Sequence, residues 1–170
     1  MKEKINFYFF LTLLFISCST GSYSSLEESE LRSGIRYDSL FLGVKFGMTS
    51  SDFYSHCWDL NKKKLVSQGP SNNSVRYMMP TESIGQNIEM LFYPVFNKDT
   101  VYEVNSTYSY TAWAPWNEGT SSDFLMDEVK NILEDWYNSD FLSIKNPKND
   151  DVLFVTVNGN RRITITEIND

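Results

Sequence analysis

The chain has 170 residues, enough for one ordinary domain or two very small ones, and it is 41% hydrophobic against 22% charged, so it can bury a core. A formal charge of −7 opposes a phosphate-neutralising nucleic-acid binder; a single histidine and two cysteines exclude a zinc ribbon, a His-rich metal centre and a disulfide scaffold. Aromatic residues at 15% favour a fold that contains sheet.

In chain order, Lys2 and Lys4 precede an apolar run from Ile5 to Ile16. Twelve residues are too few to cross a bilayer core, which takes about 20, but they suit the apolar part of a signal peptide. Leu14-Phe15-Ile16-Ser17-Cys18 follows and resembles the lipobox of bacterial lipoproteins, with Phe15 where that family usually has Leu. The resemblance implies a signal peptide over 1–17, cleavage before Cys18, acylation of Cys18, and a lipid anchor in the bacterial envelope. With Ser19 after the cysteine, it implies the outer membrane. Residues 18–37 are rich in Ser and read as a flexible tether, with Leu26 to Leu31 forming one turn at most.

The folded part is expected over 38–170, as two halves of about 40–111 and 112–170. Thr-Ser-Ser-Asp-Phe occurs twice, from Thr49 and from Thr120. In each copy Thr-x-x-Asp has the form of a capping box, in which the hydroxyl accepts from the third helical N–H and the carboxylate returns a bond. Phe53, Cys57 and Leu60 continue the first copy at helical spacing, and Leu125, Val129, Ile132, Leu133 and Trp136 continue the second. A strand is expected before the first helix, near Leu40 to Phe46. Strands are expected after it at Leu65 to Ser67, Val75 to Met79, Ile88 to Phe92 and Val101 to Tyr110. After the second helix they fall at Phe141 to Ile144, Val152 to Val157 and Arg162 to Ile168. Tyr102, Val104, Tyr108 and Tyr110 share one parity and give the fourth strand an aromatic face. Tyr93 to Phe96 reads as a corner, and Asn158-Gly159 as a type I′ hairpin. The order is an α+β fold of two tandem helix-plus-antiparallel-sheet halves.

Gly43-Val44-Lys45-Phe46-Gly47-Met48-Thr49, leading into a capped helix, is similar to the start of small outer-membrane lipoproteins of the BamE/SmpA type. Related helix-plus-sheet units occur in tandem in β-lactamase-inhibitor-protein-like domains. Both resemblances imply a noncatalytic, protein-binding role.

Little else in the sequence carries chemistry. His56 and Cys57 are adjacent, so on a helix they point about 100° apart and form no nucleophile–base pair. Asp52, His56 and Asp59 share a helical face without a second histidine, which reads as a solvated face. No Gly-x-Ser-x-Gly elbow or phosphate loop is present, and no enzyme, cofactor or metal is expected. The segment joining the halves holds Tyr108, Tyr110, Trp113 and Trp116, a density of large amphipathic rings that suits a contact surface. These four are the candidate partner-binding residues. The expectation is a lipid-anchored binding module for a protein, with a carbohydrate stacked on the same rings as the alternative and an enzyme at Asp52, His56 or Cys57 as a further one.

Overall fold

The computed structural model describes residues 20–80, 87–112, 116, 118–146 and 151–168. The leader, the lipobox with Cys18, and Trp113 lie outside them. In chain order the described elements are α1 (Thr20–Ser33), α2 (Ser50–Lys62), β1 (Val66–Gln68), β2 (Val75–Met79), β3 (Ile88–Asn97), β4 (Thr100–Tyr110), α3 (Ser122–Tyr137), β5 (Leu142–Lys145), β6 (Val152–Asn158) and β7 (Arg161–Thr166). Two antiparallel sheets result, ordered β1-β2-β3-β4 and β5-β6-β7, each preceded by its helix. The fold is α+β, in two helix-plus-sheet halves.

The first half starts at a working cap. The Thr49 Oγ1 accepts from the Asp52 N–H at 3.1 Å and the Thr49 hydroxyl donates to the Asp52 carboxylate at 2.7 Å. A donor that the first helical turn leaves over is thereby satisfied. Phe53 and Leu60 then fall on the buried face. The second pentapeptide does not repeat this geometry. Ser121 is the cap residue of α3, without a side-chain capping bond, while Thr120 is 3% exposed in a short 3-10 turn. The frame has slipped by one residue, so Phe53 is 1% exposed and its counterpart Phe124 is 58% exposed.

Several expected elements move. Residues 40–46 form turns rather than a strand, held by backbone bonds such as that from the Leu40 N–H to the Val44 carbonyl at 2.9 Å and by an isolated bridge between Ser39 and Lys45. Tyr93 to Phe96 lies inside β3, which runs on to Asn97, and makes no corner. Lys98 and Asp99, at the centre of the β3–β4 hairpin, both carry positive φ (48° and 65°), the type I′ signature. The β6–β7 hairpin closes on the pair Asn158 and Arg161, and of its two central residues only Gly159 has positive φ, so it is not type I′. A bulge opposite Val95/Phe96 inserts one extra residue in β4. It turns Tyr102 outward, 65% exposed, away from the face shared by Val104, Tyr108 and Tyr110.

One core serves both halves. Phe53 of α2, Met90 and Phe92 of β3, Val129 and Leu133 of α3 and Ile165 of β7 belong to a single buried cluster. Each such side chain contributes about 1.5–3 kcal/mol by leaving water.

Instead of a tether, the segment after Ser19 forms the 14-residue helix α1, which packs across β5 and β6. The Gly159 N–H donates to Glu30 Oε2 at 2.8 Å, and Arg162 donates to the Tyr23 hydroxyl at 3.4 Å. Phe154 pairs with Ile165 and faces α3, so Val155 and Val157 face the opposite way. Both are buried, at 2% and 4% exposure. The second sheet is therefore covered on both faces, by α3 and by α1, and such a sheet needs apolar residues at consecutive positions. Phe154, Val155 and Val157 supply them, and the buried Thr156 between them satisfies its hydroxyl with Ser139 at 2.7 Å.

Candidate functional site

Among the described residues, an opening lies between the two sheets. β4 is an edge strand of the first and β7 an edge strand of the second, and a groove of about 740 Å³ separates them. Tyr102 to Ser106 of β4 and Arg161 to Thr166 of β7 line it consecutively. A sheet face presents alternate residues, so consecutive ones mean that the groove looks at the backbone edges. Leu133 and Tyr137 of α3 form its floor, and Glu27 and Leu31 of α1 border it.

The two edges run in the same direction. At one end Glu103 of β4 acts electrostatically on Arg162 of β7. At the other a smaller hollow of about 180 Å³ brings Thr107 of β4 together with Thr166 and Glu167, just beyond β7. No backbone hydrogen bond joins the strands among the described residues, and their Cα atoms stay more than 8 Å apart along most of their length. Paired strands lie about 4.8 Å apart.

Arg161 sits at the α1 end of this groove, 6% exposed. One guanidinium nitrogen donates to the Ser39 carbonyl at 2.9 Å, and the group lies over the rings of Tyr137 (4.2 Å) and Tyr37 (5.3 Å). Its buried Nε has no hydrogen-bond partner, and no described carboxylate lies within 4.0 Å of it. Burial pulls its pKa down, against the favourable fields of Tyr137 and Tyr37. Beside it Arg162 is held charged, first by the Tyr23 hydroxyl and then by Glu27 and Glu103.

The four candidate rings do not form one platform. Tyr108 packs on the core and accepts from the Ser106 hydroxyl at 3.2 Å; burial raises its pKa. Tyr110 also packs on the core and donates to Glu128 at 2.9 Å, and burial with that bond pushes its phenol up to about 12. Trp116 is 84% exposed. Trp113 lies outside the described residues.

The residues weighed for catalysis have structural duties. His56 donates from Nε2 to the Leu42 carbonyl at 2.6 Å and packs so closely on Gly43 that a Cβ there would meet the ring at 2.8 Å. Cys57 packs against the core, and burial pushes its thiol up to about 11. Asp52 belongs to the helix cap, and Asp59 pairs with Lys62 at 3.4 Å. Among the described residues no three His, Cys, Asp or Glu side chains are placed to hold a metal ion.

A second exposed aromatic set lies on α2. Tyr54 and Trp58, four residues apart, are 52% and 63% exposed, and the Tyr54 and Tyr93 hydroxyls meet at 2.6 Å. The spacing is visible in the sequence, but these rings flank a core stripe and so read as its margin. The groove has no local signal at all, because its walls lie about 60 positions apart in the chain. No helix among the described residues is long and apolar enough to cross a membrane. No family model, no curated protein and no solved structure matches this chain.

Proposed function

We propose that this chain is a lipid-anchored protein of the bacterial envelope, acylated at Cys18 and held most naturally in the outer membrane, whose α+β body binds a protein partner without catalysing a reaction. The anchor rests on the leader and the Leu14-to-Cys18 lipobox. The observation that supports the binding role is the groove between β4 and β7, where two strand edges, unpaired among the described residues, face each other over a floor that includes Leu133 and Tyr137. Exposed edges of this kind are templates for another chain. A carbohydrate on the open ring of Trp116 is the competing reading, favoured by that ring's 84% exposure.

Photo-crosslinking in the native host, with a benzophenone amino acid placed at Asn105 or at Trp116, tests the reading. A discrete protein adduct from Asn105 is the expected result. Absence of protein adducts from both positions, with glycan-array binding abolished by W116A, overturns it in favour of the carbohydrate. Mass spectrometry of the native protein checks the anchor, with fatty acyl groups expected on Cys18.

A further inference from the structure

The direction of the two edges defines what the groove can hold. In an antiparallel sheet neighbouring strands alternate in direction, so two strands that run the same way are separated by one strand of opposite sense. β4 and β7 run the same way, lie more than a paired distance apart, and share the floor made by α3. One extended segment between them would join the sheets into a single antiparallel sheet of eight strands.

The backbone groups are aimed for it. Thr111 N–H bonds to the Asn87 carbonyl, so by alternation Val104, Ser106 and Tyr108 turn their N–H and C=O groups away from β3, toward the groove. The two-residue hairpin closing on Asn158 and Arg161 likewise turns Arg162, Thr164 and Thr166 toward it. Charge selects among segments: the buried Arg161 guanidinium at the α1 end has no carboxylate partner among the described residues, and a buried charge left uncompensated is costly.

We infer that the groove receives one extended segment of a partner protein, about six residues long, which runs antiparallel to β4 and β7, hydrogen-bonds to both at once, and brings an acidic side chain to Arg161. This deepens the protein-binding reading and rests on it. An antiparallel segment enters by the Thr107–Thr166 end and reaches Arg161 last, so the acidic residue belongs near the carboxyl end of the segment. Its inward residues meet Leu133 and Tyr137 and are therefore apolar at alternate positions.

A phage-displayed random twelve-residue library, panned on the mature protein, supplies the probe. The enriched peptide, made with an amidated carboxyl end, is then N-methylated one backbone position at a time. A segment paired on both sides uses every amide, so consecutive N-methyl groups each weaken binding about tenfold. T164P and S106P, which remove an outward N–H from either wall, weaken it to a similar degree. Amidation of the peptide's acidic side chain weakens binding to the wild type about tenfold and binding to R161Q very little.

Loss at alternate positions only would mean addition to one edge, and insensitivity to all N-methyl groups would mean side-chain docking elsewhere; either overturns the inference while leaving protein binding intact. Failure of any peptide to enrich also overturns it, and the Asn105 crosslink then decides the broader reading independently. If both proline variants unfold, the N-methyl scan on the wild-type protein still decides.

Discussion

Tyr108 and Trp116 show how residues of similar composition, eight positions apart, take opposite roles. Tyr108 is packed on the core, whereas Trp116 stands 84% in solvent. Y108A should therefore cost about 1–3 kcal/mol, as truncating a side chain packed on a core does, and W116A should stay within about 0.5 kcal/mol; chemical denaturation of the two variants checks this. Cys57 provides a second test. Its thiol is pushed up to about 11 by burial, so at pH 8 almost none is thiolate. Native protein should resist iodoacetamide at that pH and react only when unfolded, as counted by mass spectrometry. The sequence shows Cys57 on an apolar helical stripe, which made its packing against the core legible. The split between Tyr108 and Trp116 was not legible, because period-two alternation reads a strand's faces but says nothing of where a following loop points.

At the scale of elements, the two helix starts differ although their sequences match. Thr49 caps α2 through its hydroxyl, and the corresponding bond is missing at Ser121 of α3. T49A is expected to lose about 1 kcal/mol and S121A a few tenths, measured as shifts in the urea midpoint at constant slope. The start of α2 and the strands β2 and β6 were readable from cap and alternation. The slipped frame of the second pentapeptide was not, since tertiary burial of Thr120 outweighs its preference for a cap. At the other end of α3, Glu134 accepts from the Phe141 N–H at 3.0 Å and pairs with Lys130 at 3.1 Å. The Phe141 bond lowers its pKa first, with Lys130 adding to it against partial burial. A carboxylate depressed in the folded state stabilises above its unfolded value and loses that contribution as pH falls through the folded one. Melting temperature should thus fall more steeply below about pH 4.5 for the wild type than for E134Q.

For the molecule as a whole, the shared core makes the halves thermodynamically inseparable. Phe53, Phe92, Val129 and Ile165 come from both and touch one cluster. Calorimetry should show one transition, with equal calorimetric and van't Hoff enthalpies; two resolved transitions would mean that each half holds its own core. The α+β order of two helix-and-sheet units was legible because each sheet is built from local hairpins. Neither the groove nor α1 was legible. The groove depends on how one sheet lies beside the other. α1 has a Ser-rich composition that favours no helix by itself, and it is held by bonds to the distant Gly159 and Arg162. On the proposed acylation, only Ser19 stands between the lipidated residue and that docked helix. At about 1.5 Å per helical residue, Glu27 at the lip of the groove lies about 10 Å along α1 from Thr20, where that helix begins. The body would ride close over the lipid, within easy reach of neighbours embedded in the same bilayer.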